Sequence, residues 1–117
     1  MGYITQLRFI DIETAIAFYR QHLGFELEFR YDDFYAGLSL DGHKIHFKLV
    51  DHSEPNTNWV HDNGHLHLTL EVADLAAKHA QLNSDGIYVS AIRDQPWGTE
   101  FDLRDPGGHT LYFMQRE

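Results

Sequence analysis

The sequence predicts an α+β fold made of two tandem β-α-β-β-β modules, and three observations predict it. First, the chain repeats itself. Gly42-His43-Lys44-Ile45-His46-Phe47 reads against Gly108-His109-Thr110-Leu111-Tyr112-Phe113, and Leu7-Arg8-Phe9-Ile10-Asp11 reads against Leu70-Glu71-Val72-Ala73-Asp74. Second, each of those aspartates precedes a run at helical spacing that stops at a glycine, Gly24 or Gly86. Third, most of the remaining stretches alternate polar and apolar residues with the period of a half-buried strand. In this register Ile4 pairs with His67 and His46 with Tyr112. Module one covers 3–50, a linker 51–64, and module two 65–115, within one domain of residues 1–117.

Residues 3–10 alternate, with Thr5, Leu7 and Phe9 on one face and Ile4, Gln6 and Arg8 on the other. Asp11 then suits a helix N-cap, because its carboxylate can accept the free N–H groups of the first turn. Ile12, Ile16, Tyr19 and Leu23 follow at helical spacing, and Gly24 can end the helix in a left-handed conformation. Residues 25–31 alternate strictly, 34–40 form another strand, and Asp41-Gly42 makes a tight turn into a strand over 43–50. Residues 51–64 lack periodicity and hold Pro55 and several Asn and Asp, with Trp59 expected to pack them down. The second half repeats the order. Strand 65–72 is followed by a weaker helix capped by Asp74, a short strand over 88–92, a strand over 98–104, the turn Asp105-Pro106-Gly107-Gly108, and a last strand over 109–115.

If each module lays one apolar sheet face under its helix, the opposite faces remain to be explained. Parity places Ile4, Gln6 and Arg8 there, with Tyr35 and Ser39, Lys44, His46 and Lys48 in module one. Module two contributes His65, His67, Thr69 and Glu71, then Glu100, Asp102 and Arg104, then Thr110, Tyr112 and Met114. Two sheets curving toward each other would turn these faces into a cup. Ile4, Tyr35, Tyr112 and Met114 suit a binding wall better than open solvent.

Composition narrows the function. The chain of 117 residues is long enough to bury roughly two-thirds of its unfolded surface. Its 43% hydrophobic content argues against disorder. A formal net charge of −9 disfavours sequence-independent nucleic-acid binding, which needs clustered Lys and Arg, and suits a cationic ligand. No apolar run is long enough for a membrane helix, and no basic segment leads into an apolar core at the N-terminus. A cytoplasmic protein is expected. There is no cysteine, no Gly-x-Ser-x-Gly and no phosphate-binding glycine loop, so nucleophilic catalysis has no visible machinery. Glu71, Glu100 and Asp102 are the acid–base candidates on the cup face. His43 and His109 read as partly buried turn residues, and His22, His52 and His79 as surface residues.

Three stretches resemble the vicinal oxygen chelate superfamily of glyoxalases, extradiol dioxygenases, fosfomycin-resistance enzymes and bleomycin-resistance proteins. They are Ala17-Phe18-Tyr19-Arg20-Gln21-His22-Leu23-Gly24-Phe25, residues 64–74, and Trp97-Gly98-Thr99-Glu100-Phe101-Asp102-Leu103-Arg104-Asp105-Pro106-Gly107-Gly108. The last is similar to a Trp-Gly…Phe…Asp-Pro-Asp-Gly signature, with Gly107 where Asp is usual. The resemblance implies the glyoxalase/bleomycin resistance fold, a cup-shaped mixed sheet. It also implies metal ligands on the first and last strand of each module, at positions 4, 46, 67 and 112. His67 matches a common ligand, and His46 stands where many glyoxalases have Glu. Ile4 has no donor atom, and Tyr112 replaces a carboxylate.

The expected function is therefore non-catalytic binding of a small organic molecule, as in antibiotic-sequestering proteins of the bleomycin-resistance type. Tyr35, His46, His67, Trp97 and Tyr112 would line the cleft around an aromatic or cationic ligand. The alternative is a metal-dependent lyase, isomerase or dioxygenase-like enzyme holding zinc, nickel or iron through His46 and His67. Exposed sheet edges favour pairing with a second copy, so a homodimer is expected.

Overall fold

Local signals produce most of the expected elements. The computed structural model describes residues 1–50 and 66–117; the predicted linker, with Trp59, His52 and His61, and also His65, lies outside them. Module one runs β1 (Thr5–Phe9), α1 (Ile12–Leu23), β2 (Glu26–Tyr31), β3 (Tyr35–Leu40) and β4 (His43–Leu49). Module two runs β5 (Leu68–Glu71), α2 (Leu75–Ser84), β6 (Arg93–Gln95), β7 (Gly98–Arg104) and β8 (Thr110–Arg116). Both helices begin as expected. The Asp11 carboxylate accepts the Thr14 backbone N–H at 3.2 Å and its hydroxyl at 2.7 Å, and Asp74 accepts the Ala77 N–H at 3.0 Å. Asp41 and Gly42 both take positive φ, 50° and 83°, as a tight hairpin turn between twisted strands requires.

Each module is one four-stranded mixed sheet, ordered β1-β4-β3-β2 and β5-β8-β7-β6. The first and last strands of each module run parallel, with Gln6 opposite His46 in one and Thr69 opposite Tyr112 in the other. The ladders thus make His46 the counterpart of Tyr112 and place Ile4 and His67 one residue ahead of matching strands. This is the register that the sequence repeat predicts. The antiparallel ladders extend it: Tyr35 corresponds to Glu100, Gly37 to Asp102 and Tyr31 to Arg93.

Two strand expectations need correction. The predicted strand over 88–92 does not form; β6 begins at Arg93. Ser90 explains it, because its N–H donates to the Asp102 carbonyl while the Asp102 N–H donates to the Ser90 side-chain oxygen. A hydroxyl takes the place of one backbone acceptor and the ladder is interrupted. The strict alternation of 25–31 also breaks, because the pairing of β2 with β3 slips between Leu27 and Phe29. Such a bulge reverses every side chain beyond it. Phe29 and Tyr31 therefore join Tyr35 on the cup face. Arg30 turns to the helix side, where it pairs with Glu13 of α1.

The core lies between sheets and helices, with Phe9, Tyr19, Phe47, Phe101 and Phe113 among its largest buried side chains. Leu75 and Leu82 anchor α2, and five buried residues anchor α1. The modules touch through these helix-facing sides. Phe9 packs on the His109 ring at 4.8 Å, His22 bonds Asp85 at 3.0 Å, and the Tyr19 hydroxyl donates to Asp105 at 2.7 Å. His22 is thus a half-buried bridge and not a surface residue, and His79 likewise lies edge-on to Phe101. His109 is partly buried as expected, whereas His43 is exposed.

Candidate functional site

Parity and register place Gln6 (β1), His46 (β4) and Tyr35 (β3) side by side on the cup face of module one. The Tyr35 hydroxyl lies 2.8 Å from His46 Nδ1, and Gln6 Nε2 donates to the same hydroxyl at 3.3 Å. Phe29, delivered by the bulge, stands edge-on to His46 at 5.2 Å and stacks on Tyr35 at 6.2 Å. Gly37 makes room for it: a Cβ built there would lie 2.1 Å from the Phe29 ring. Beyond Tyr35, Tyr31 and Phe34 stack at 6.3 Å and both are exposed. Phe29 and Tyr31 were not legible as site residues under strict alternation. A glycine in mid-strand was the available signal, since it marks close approach of a neighbour.

The corresponding face of module two is charged. Arg93 donates to Glu100 and to Asp102, each at 2.9 Å, and the hydrogen bond it gives to Glu100 foremost holds the guanidinium pKa above its usual value. Glu71 pairs with Arg116 at 2.8 Å at the exposed end of β8. All three acid–base candidates are therefore committed to arginines. Tyr112 packs against His67 with ring centres 5.3 Å apart. Tyr112 also shares an open cleft of about 600 Å³ with Thr69, Glu71, Trp97, Glu100 and Met114. Trp97 sits on the turn between β6 and β7 and remains 53% exposed.

The five predicted ligand residues thus fall into two groups. Tyr35 and His46 meet on module one; His67, Trp97 and Tyr112 gather on module two. Among the described residues no hydrogen bond or ring contact joins the groups.

The donor set departs from the superfamily's metal pattern at two of its four positions. The four equivalent positions offer two imidazoles, a phenol and the aliphatic Ile4, where a catalytic metal centre takes three protein ligands plus water. Nδ1 of His46 is engaged by Tyr35. Among the described residues no three His, Asp or Glu side chains converge closely enough to hold a metal ion. Among the described residues, too, no helix is long and apolar enough to cross a membrane.

The chain can be set beside known proteins. Residues 2–113 match the family model for the glyoxalase/bleomycin resistance protein/dioxygenase superfamily. No curated protein sequence matches significantly. Among solved structures, the bleomycin-binding protein of bleomycin-producing Streptomyces verticillus, complexed with copper(II)-bleomycin, is 26% identical with a TM-score of 0.74, covering 100% of this chain and 97% of that one. A bleomycin resistance determinant encoded on the transposon Tn5 is also 26% identical, with a TM-score of 0.77 and coverage of 100% and 98%. Lactoylglutathione lyase from Agrobacterium tumefaciens has a TM-score of 0.78 over 98% and 92% of the chains, but at 17% identity it speaks for the fold alone. The ladder register, the sheet order and the family match agree: this chain belongs to the glyoxalase/bleomycin resistance protein/dioxygenase superfamily.

Proposed function

We propose that this protein binds a small planar or cationic organic molecule in a cup and releases it unchanged, as a sequestering protein of the bleomycin-binding kind. The observation that carries this reading is the donor set, in which an aliphatic side chain and a phenol occupy two of the four positions where the superfamily's metal enzymes place ligands. Such a face can stack and hydrogen-bond. It is poorly equipped to activate water or polarise a carbonyl through zinc, nickel or iron. The two bleomycin-associated structures at 26% identity support the same reading, and a net charge of −9 favours a cation.

Tyr35 and His46 supply one wall; His67, Trp97 and Tyr112 supply the other. The contacts between modules of one chain use their helix sides, through Tyr19 with Asp105 and Phe9 with His109. A complete cup then pairs module one of one copy with module two of a second, which makes the working unit a homodimer.

Calorimetric titration with bleomycin, metal-free and copper-loaded, should give one ligand per cup. Tyr112→Ala should weaken it by roughly tenfold, the loss expected on truncating a buried aromatic contact. The purified protein should carry less than one metal per cup by plasma mass spectrometry. It should not turn over glutathione–dicarbonyl adducts with added nickel or zinc. Stoichiometric, chelator-resistant metal on His46 and His67 would overturn the reading in favour of a metal-dependent lyase, isomerase or dioxygenase-like enzyme. A monomer by light scattering at micromolar concentration would sink the shared cup.

A further inference from the structure

We infer that Gln6 and Tyr35 hold His46 in the tautomer that carries its proton on Nε2, so that His46 offers the cup a fixed N–H donor and selects ligands bearing a carbonyl-type acceptor. This rests on the small-molecule reading above and narrows it.

The Tyr35 hydroxyl has one hydrogen and two neighbours, Gln6 Nε2 at 3.3 Å and His46 Nδ1 at 2.8 Å. An amide nitrogen donates and cannot accept, so of these two neighbours only Nδ1 can take the Tyr35 hydrogen. The distances agree. Hydroxyl-to-carbonyl bonds cluster near about 2.7–2.8 Å, so 3.3 Å is long for Tyr35 donating into a Gln6 carbonyl oxygen but suits a weak amide N–H donor. With a lone pair on Nδ1, neutral His46 carries its hydrogen on Nε2. Metal-binding histidines usually do the reverse, donating one ring N–H to a neighbour and offering the other nitrogen's lone pair to the metal. The relay therefore sets His46 up to donate.

The surroundings define the acceptor. Phe29 lies edge-on to His46, with Gly37 holding the space for that ring, so the donor sits beside an aromatic wall. Among the described residues no hydrogen bond engages Nε2, and no buried side-chain nitrogen or oxygen is left unpartnered, so this nitrogen is open to solvent. A planar ring carrying a ketone or amide oxygen satisfies both features. Gln6 and Tyr35 are positioning residues: they act through His46 and set its polarity.

The test reads the tautomer directly and then its use. Two-bond ¹⁵N correlation spectra of the imidazoles, with His46 assigned through His46→Gln, should show Nε2 protonated and Nδ1 bare. Acetophenone and ethylbenzene serve as matched probes, alike except for the carbonyl. Acetophenone should shift the Nε2 resonance and bind roughly fivefold tighter, the ratio a single hydrogen bond supplies. In Tyr35→Phe the tautomers should mix and the preference should fall below about twofold. Gln6→Glu, an exposed substitution, should draw the Tyr35 hydrogen toward the new carboxylate, move the imidazole proton to Nδ1 and raise zinc affinity. Protonation on Nδ1 in the native protein, or equal binding of the two probes, would overturn the inference while leaving a binding cup intact. If neither probe moves any resonance of Phe29, Tyr35 or His46, the donor role and the binding reading of this face fail together.

Discussion

The two modules share a backbone and differ in what they place on it. On the helix side the matching positions stay apolar: Leu7 and Leu70, Ile45 and Leu111, Leu38 and Leu103, Phe47 and Phe113. Volume is conserved by trade. Ala36 in β3 corresponds to Phe101 in β7, and the large ring appears in α1 instead, where Tyr19 stands as far beyond Asp11 as Leu82 stands beyond Asp74. On the cup side nothing is conserved in kind. Tyr31, Tyr35, Gly37 and His46 face Arg93, Glu100, Asp102 and Tyr112 as counterparts. The repeat persists where packing demands it and lapses where a ligand would be met. The module-one face carries an aromatic cluster with a Lys44–Glu28 pair beside it; the module-two face carries an arginine held between carboxylates.

If the core trade is real, making module one resemble module two at one position should be costly. Ala36 is wholly buried opposite Phe47, whose ring lies 4.8 Å from Tyr19. Ala36→Phe adds a ring with nowhere to go and should destabilise by about 3 kcal/mol, the upper range for overpacked cores. Tyr19→Leu has a cost of its own through Asp105, but the double variant should lose less than the two single losses combined, because the two sites share one volume. Urea denaturation of both single variants and the double variant measures the coupling. Strict additivity would show that the two helix–sheet interfaces are not interchangeable in this way.

Tyr19 differs from Leu82 in a second respect, since its hydroxyl joins the modules. Asp105 is buried and also accepts the N–H groups of Gly107 and His109, each at 2.9 Å. Tyr19→Phe leaves that carboxylate one donor short and should cost about 2 kcal/mol at neutral pH. Burial foremost, then the Asp105 charge, raises the Tyr19 pKa well above 10.0. A raised pKa contributes stability that is complete below the unfolded value and is lost as pH climbs toward the folded one. The native protein should therefore weaken above about pH 10, where the unfolded phenol ionises and the buried one cannot. Tyr19→Phe lacks that slope, so the gap between the two should narrow with alkali. A gap constant from pH 7 to about pH 11 would mean that Tyr19 ionises freely in the fold.

What the sequence revealed depended on whether the cause was local. The caps at Asp11 and Asp74, the Asp41-Gly42 turn and the strand parity are set by residues within a few positions of one another, and they are legible. The bulge before Phe29 is not, because strict alternation through Arg30 conceals it; its cause lies across the sheet, where Gly37 leaves the space that Phe29 fills. Ser90 interrupts a predicted strand through a bond to Asp102, on a different element. His22 and His79 looked superficial because their partners, Asp85 and Phe101, are distant in sequence. For the site, the repeat identifies Ile4, His46, His67 and Tyr112 as equivalents, but the bonds from Gln6 to Tyr35 and between Tyr35 and His46 join three strands distant in sequence.

The smallest difference separates the two helix caps. Asp11 accepts two bonds from Thr14, and the side-chain bond foremost lowers its pKa below 3.8; Asp74 accepts one, from the Ala77 N–H. Replacing either by Ala should cost about 1 kcal/mol at neutral pH. The distribution of that cost should differ. Five buried residues hold α1 in place, so Asp11→Ala should register mainly as lower global stability. Only Leu75 and Leu82 are buried in α2, so Asp74→Ala should appear as faster hydrogen exchange in its first turn, with less change in the urea midpoint. Acid tests the Asp11 cap in its own right. A lowered carboxylate pKa contributes stability that is present above the unfolded value and lost as pH falls through the folded one. The native protein's advantage over Asp11→Ala should therefore shrink below about pH 4, as the cap takes up its proton. An advantage that holds undiminished to about pH 2 would assign the effect of Asp11 to its shape alone.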